Sequence, residues 1–181
     1  MVAQKLTIPI QETQRLKLVP LSMEHSDGMF QMWRNQSVQK YSGPARDING
    51  EAIELPARSR SDSDKLIEFW VAAALDGWGF RWAILLNNRE TRFIGQLGFN
   101  QLGDSAEIAY HLNPDYWGNG YMYEAANEAI DWQQRCGASE IEAFVDPANL
   151  ESIRLTERLG LQPTSLLVDG ARRYLRTLGK R

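Results

Sequence analysis

The sequence predicts a single α+β domain on a mixed, mostly antiparallel twisted sheet of about seven strands with about four helices. Three observations carry this. Residues 80–86, 93–102 and 106–112 read as strands joined by connections too short for parallel crossovers, so they form an antiparallel meander. Residues 106–145 read strand, glycine turn, helix, strand, which supplies one parallel crossover. The tail carries Asp169-Gly170 between two apolar runs, a hairpin signature.

The elements follow in order. Residues 1–12 are a lead-in, and the domain is expected over 13–181. In residues 15–20, Leu16 and Leu18 face one way and Lys17 and Val19 the other, a strand closed by Pro20. Ser22 can cap a helix with Met23, Ser26, Met29, Phe30 and Trp33 on one face. Residues 39–64 form a long polar connection with a short helical piece expected at 52–55; long loops of this kind are often functional. Asp62 or Ser63 can cap the next helix, whose apolar positions are Leu66, Ile67, Trp70, Val71 and Ala74. After the meander, a helix over 119–136 shows the stripe Met122, Ala125, Ala126, Ala129 and Ile130 and stops at Gly137. A strand at 140–145 comes next. Asn149 then caps a helix over 150–159 that Gly160 ends, before hairpin strands at 164–168 and 172–178.

Composition excludes several classes. The chain has 181 residues, enough for one well-filled domain and short for two. Its net charge of -3, from 20 basic and 23 acidic residues, leaves no electrostatic footprint for nucleic acid. The cluster Arg172, Arg173 and Arg176 reads as a solvated strand face. No apolar run approaches the roughly 20 residues that span a membrane. One cysteine, Cys136, precludes an intrachain disulfide and fits a reducing, cytoplasmic compartment. The two histidines, His25 and His111, give no metal-ligand spacing, so no metal is expected.

The chemistry concentrates in residues 106–126, AEIAYHLNPDYWGNGYMYEAA, where a strand enters a glycine-containing turn that opens directly into a helix. The first N–H groups of a helix have no intrahelical partner, and the dipole adds positive charge there. Gly118 and Gly120 remove side chains that would block an approaching anion, so phosphate oxygens can reach the amides of 117–122. Glycines that merely shape a tight turn are the plain alternative. A dinucleotide fingerprint is disfavoured, because Tyr123 holds the third glycine position and the preceding strand belongs to the meander.

Three stretches in order resemble the GNAT superfamily of N-acetyltransferases, and most closely the branch of RimJ/RimL-like ribosomal-protein N-terminal acetyltransferases. These are Thr13-x-Arg15-Leu16-x-Leu18-x-Pro20-Leu21, Tyr116-Trp117-Gly118-x-Gly120-Tyr121-x-x-Glu124-Ala125, and Asn149-x-x-Ser152-x-x-Leu155 followed by Leu159-Gly160-Leu161. The resemblance spans about residues 13–178 and implies an acetyl-CoA-dependent N-acetyltransferase without metal. It implies that the diphosphate lies on the amides of Trp117, Gly118, Asn119, Gly120, Tyr121 and Met122. The pantetheine would run beside Ile108, Ala109, Tyr110, His111 and Leu112, in a gap splayed between the fourth and fifth strands. Asn149 and Ser152 would face its sulfur end.

The implied reaction is direct transfer to an amine, either a protein N-terminus or a small molecule. It needs a base, an oxyanion donor and an acid for the leaving thiolate. Glu107 is the candidate base, probed against the reading of a solvated strand-end carboxylate. The Tyr110 amide is the candidate oxyanion donor and Ser152 the candidate acid. His111 reads as a packed strand histidine before it reads as a base. Ala109 replaces a glycine frequent in relatives, Thr156 stands where many members place an acidic tyrosine, and Asp115 stands where other branches prefer Arg or Gln. The first two departures motivate an alternative, a non-catalytic acyl-CoA-binding or regulatory domain. A phosphate-binding domain for another nucleotide is a third reading. The branch contains monomers and dimers, so a homodimer is compatible with the resemblance.

Overall fold

The computed structural model describes residues 6–179. Its main sheet has the strand order β1-β2-β5-β6-β7-β8-β10-β9, and β3 and β4 form a separate pair. The strands are β1 (Gln11–Glu12), β2 (Leu16–Pro20), β3 (Ala45–Arg46), β4 (Ala52–Ile53), β5 (Phe80–Leu86), β6 (Phe93–Gln101), β7 (Ser105–Leu112), β8 (Glu140–Val145), β9 (Gln162–Val168) and β10 (Ala171–Thr177). The helices are α1 (Ser26–Trp33), α2 (Gln36–Gln39), α3 (Arg60–Asp76), α4 (Tyr121–Arg135) and α5 (Leu150–Arg158), with 3-10 turns at Met23–His25 and Pro114–Tyr116. The α+β class and mixed sheet match the sequence reading, with eight strands in the main sheet. The added strand is β1, which lies in the stretch read as a lead-in and pairs with β2. Nearby, the Trp82 indole donates to Pro9 O at 2.8 Å.

Period-2 alternation puts one apolar face of the sheet under α4 and α5 and the other under α1 and α3. On the first face, Phe80, Trp82, Ile84, Leu97, Phe99 and Ile108 meet the Met122-Ala125-Ala126-Ala129-Ile130 stripe. Its three alanines let α4 lie close to the strands. Trp132 packs edge-on against Phe80 and Trp82, with ring centroids 5.5 and 5.2 Å away. Burying each such aromatic contributes up to about 3 kcal/mol. The second face joins Ala83 to Met29, Met32, Trp33, Leu66 and Ile67.

Two local expectations are corrected. Residues 52–55 are not helical: Ala52–Ile53 pairs with Ala45–Arg46 as a hairpin. Gly50 has φ +83°, and Asp47 Oδ1 accepts from the amides of Asn49 and Glu51. The Asn49-Gly50 pair is thus a hairpin turn, which fixes the flanking strands. The cap of α3 is Ser59, not Asp62 or Ser63. Asp62 is instead the third helical residue and completes a capping box back to the Ser59 amide.

The tail hairpin turns through Asp169 (φ 50°) and Gly170 (φ 83°), two successive left-handed residues as an Asp-Gly turn requires. Its strand β10 pairs with β8 along the whole of Glu140–Val145. On its other flank β8 pairs with β7 only at Ser105, Ala106 and Glu107. β8 is therefore held to β10 while β7 stays with β6, and beyond Glu107 the two parallel strands part. The sheet opens at the place the resemblance implied.

Candidate active site

The opening exposes main chain. Asn113 N donates to Ile94 O at 2.8 Å, in the same register as the β6–β7 ladder. Bonded and non-bonded pairs alternate along an antiparallel ladder. Ala109 and His111 therefore direct their backbone groups to β6, and Ile108, Tyr110 and Leu112 direct theirs into the gap. The Leu112 carbonyl is taken by the Trp117 indole at 2.8 Å. The Ile108 amide is used in the last β7–β8 pairing, while the Ile108 carbonyl and both main-chain groups of Tyr110 remain for an extended ligand to pair with as an added strand does.

The glycine turn stands at the wide end of this gap. Gly118 and Gly120 both have φ +76°, a conformation that L side chains resist, and Gly120 is the N-cap of α4. The Trp117 amide belonged to the expected anion-binding run, but it donates to Pro114 O. The run of uncommitted donors begins one residue later: among the described residues no hydrogen bond engages the amides of Gly118, Asn119, Gly120, Tyr121, Met122 and Tyr123. Two guanidiniums flank it. Arg15 lies over the Tyr121 ring at 4.6 Å, and Arg158 over Tyr123 at 3.7 Å. Glu124 anchors the turn to β2, accepting from the Thr13 hydroxyl (2.5 Å), the Arg15 amide (2.8 Å) and Arg15 Nε (2.7 Å).

At the narrow end, three hydroxyls converge on the α4/α5 face. Tyr110 Oη lies 2.9 Å from Ser152 Oγ and 3.1 Å from Thr156 Oγ1. Burial pushes the Tyr110 phenol above its ordinary range, so it stays protonated at neutral pH. A tyrosine hydroxyl thus reaches Thr156 from β7, although no tyrosine stands on α5. Asn149 caps α5, its side chain accepting from the Ser152 amide at 3.2 Å.

The opposite face carries Glu107, Ala109 and His111. Glu107 Oε1 accepts from Asn100 Nδ2 at 2.6 Å, and Asn100 sits at a bulge in β6. Burial raises the Glu107 pKa above the usual carboxylate value; the Asn100 bond opposes this, Glu142 adds to it and Arg81 opposes it. Asn100 Oδ1 in turn accepts from the Arg81 guanidinium at 2.5 Å. His111 is pushed down to about 3 by burial and by the Arg81 charge, so its imidazole is neutral and a weak base. One ring nitrogen lies 3.0 Å from Ser42 Oγ. The cross-strand row Arg81–Gly98–Ala109 forms the floor. Gly98 has no side chain to fill it, and clearance next to Ala109 comes from this neighbour.

One cleft of about 1160 Å³ runs from the glycine turn along β7 to Ser152 on one face and to Glu107, Asn100 and Arg81 on the other. It exceeds the volume of a site for one drug-sized ligand and has room for two. Of the candidates named from sequence, Glu107, Ile108, Ala109, Tyr110, His111, Leu112, Trp117, Gly118, Gly120, Tyr121, Met122, Asn149 and Ser152 line it. Asn119 lies in the same turn, its side chain bonded to the carbonyls of Tyr116 and Trp117. Sequence reasoning missed Arg81, Asn100, Trp70, Arg154 and Arg158, which also line the cleft. Only strand alternation around Arg81 offered a signal: a charged residue amid Phe80, Trp82, Ala83 and Ile84 is anomalous.

A sheet splayed beside a helix whose first amides are free sets an anion-binding helix terminus next to an open strand edge. Residues 15–162 match the acetyltransferase (GNAT) domain family. The chain belongs to the GNAT acetyltransferase family and is an acetyltransferase. It is 31% identical over 163 residues to a Bacillus licheniformis protein named uncharacterized N-acetyltransferase p20, covering 87% of this chain and 84% of that protein. RimL, a ribosomal L7/L12 alpha-N-protein acetyltransferase solved with coenzyme A, shares the fold with a TM-score of 0.76. Its identity is 16%, and the likeness covers 94% of this chain and 98% of RimL. The microcin C7 self-immunity acetyltransferase MccE, solved with acetyl-CoA and AMP, has a TM-score of 0.72 at 17% identity, covering 92% of this chain and 94% of that one. Among the described residues no helix is long and apolar enough to cross a membrane.

Proposed function

We propose that this protein transfers the acetyl group of acetyl-CoA directly to an amine. One observation carries the reading: the free Ile108 carbonyl and the unpaired main chain of Tyr110 lead to six uncommitted amides at the mouth of α4. A thioester arm can pair in the gap while its diphosphate rests on those amides. Arg154 and Arg158 supply cationic charge along the same wall.

The other groups divide the work by face. Glu107, its pKa raised by burial, accepts a proton from the acceptor ammonium through water. The neutral amine then attacks the thioester carbonyl, forming the C–N bond. The Tyr110 amide, which points into the gap, steadies the developing oxyanion. As the C–S bond breaks, the electron pair leaves on sulfur, Ser152 donates a proton to it, and the nitrogen, positively charged since the attack, releases its surplus proton to solvent water to leave the neutral amide. Ser152 is reprotonated from the Tyr110 phenol, which recovers its proton from solvent.

Titration calorimetry with acetyl-CoA, followed by detection of free thiol with a panel of amines, tests this. Micromolar binding with amine-dependent thiol release supports the enzyme. Binding without release under any amine would support the acyl-CoA-binding domain instead. Better protection by ATP or NAD than by acetyl-CoA would point to a different nucleotide.

A further inference from the structure

Arg81 has no role in binding the coenzyme, yet it is a buried cation in the wall of the cleft. Its residue exposure is 4%, and it stands at the start of β5 on the Glu107 face. Two of its five guanidinium N–H groups are engaged, one by Phe80 O at 3.0 Å and one by Asn100 Oδ1 at 2.5 Å. Nε has no hydrogen-bond partner among the described residues. No carboxylate forms an ion pair with it among the described residues; Glu107 is joined to it by the Asn100 bridge and acts on it through its charge, without a direct hydrogen bond. The Trp70 ring lies 3.4 Å from the guanidinium carbon and holds its plane. Trp78 and Phe69 extend this aromatic wall along the cleft.

Burying a charged guanidinium without a directly bonded anion is costly. Burial lowers the Arg81 pKa to about 9, but it remains a cation at neutral pH. Such a group is kept when something else brings the counter-charge. The fork geometry of arginine matches a carboxylate, which accepts two parallel N–H bonds.

Resting on the acetyltransferase reading above, we propose that Arg81 binds a carboxylate carried by the acceptor, so that the substrates are amines bearing an acid group. The spacing suits a compact molecule. Asn100, which touches both Arg81 and Glu107, sits on β6, one strand from the gap beside β7. Neighbouring strands lie roughly 5 Å apart. An amine presented to Glu107 therefore has its carboxylate a few bonds away, as in a free amino acid or in a peptide whose first residue is Asp or Glu. Gly98, between Arg81 and Ala109, keeps the floor between them clear. A Cβ there would clash with the Phe80 carbonyl oxygen.

The test compares matched acceptors by kcat/KM from thiol release. Free L-amino acids are assayed beside their carboxamides and decarboxylated amines, and tripeptides starting with Asp or Glu beside those starting with Asn or Gln. Acid-bearing amines are expected to exceed their uncharged partners by roughly tenfold to a hundredfold. Preference among free amino acids assigns the anion to the α-carboxylate, and preference among tripeptides assigns it to a first side chain. Arg81→Met is expected to bring these ratios to near one with acetyl-CoA affinity unchanged, and Arg81→Lys to retain part of them. If these variants unfold, the wild-type ratios decide alone. Equal or better use of the uncharged partners by the wild type overturns the proposal. If acetyl-CoA itself fails to bind, the acetyltransferase reading falls first; if it binds and neutral amines are preferred, only the role of Arg81 falls.

Discussion

Gly120 caps α4 with φ +76°, and its replacement separates two explanations of how the turn works. Alanine there would place a Cβ 3.6 Å from Arg15 Nη2, an ordinary van der Waals distance. Sterics within the protein are therefore slight. The cost is conformational: an L residue in the left-handed region costs about 1–2 kcal/mol. Relaxing that strain rotates the amides of Gly120 and Tyr121 away from a common anion. If the strain is carried into the binding-competent state, acetyl-CoA affinity falls roughly 5- to 30-fold. Asparagine tolerates the left-handed region better than alanine although it is larger. The backbone explanation thus ranks affinity as Gly, then Asn, then Ala. Blocked approach of the phosphate would rank Asn last. Calorimetric Kd values for Gly120→Ala and Gly120→Asn decide. A weaker Asn variant would sink the backbone account, and wild-type affinity in both would remove the turn from the cosubstrate site.

Three further outcomes are expected. Glu107→Gln should flatten the acid limb of kcat/KM: the wild-type rate falls as pH drops through a carboxylate pKa that burial raises above the usual carboxylate range, so the loss on substitution is greatest above that pKa. A pH–rate profile checks this, and a surviving acid limb in the variant would assign it elsewhere. Ser152→Ala should lower kcat at least about tenfold with little change in acetyl-CoA affinity, as loss of a proton donor acts in the transition state. Tyr110→Phe should lower it less and cost about 1–3 kcal/mol in unfolding free energy, because buried Thr156 loses a partner. Glu124 is held below its ordinary pKa by bonds from Thr13 and Arg15 that outweigh its desolvation. A depressed carboxylate stabilises the fold above its unfolded pKa and loses that stabilisation as pH falls through the folded value. Glu124→Gln should therefore unfold more easily at pH 7, by about 2 kcal/mol, and show a shallower acid dependence in denaturant titrations at pH 7 and pH 3.

Much of the fold was legible because it is written in short-range periodicity. The apolar stripe of α4 is buried residue for residue, and β5 and β8 begin and end where the alternation does. The Asp169-Gly170 turn is equally local. The region 39–64 was less legible: its Asn49-Gly50 hairpin has strands of two residues each, too short for alternation to register. Ser59 was overlooked as a cap because Asp62 and Ser63 have the same chemistry, and only backbone geometry shows which of them starts the helix.

By itself, the sequence determined the order of strands and helices, the glycine turn before α4 and the identity of most residues around it, since each depends on neighbours within a few positions. The tertiary structure alone decided how those residues meet. Strand register directs the Tyr110 amide into the gap and its phenol to Ser152 and Thr156, 42 and 46 positions away. The bulge at Asn100 belongs to the same register and joins Arg81 to Glu107. Register is set by packing between distant segments, and a shift of one residue would turn each of these side chains to the other face.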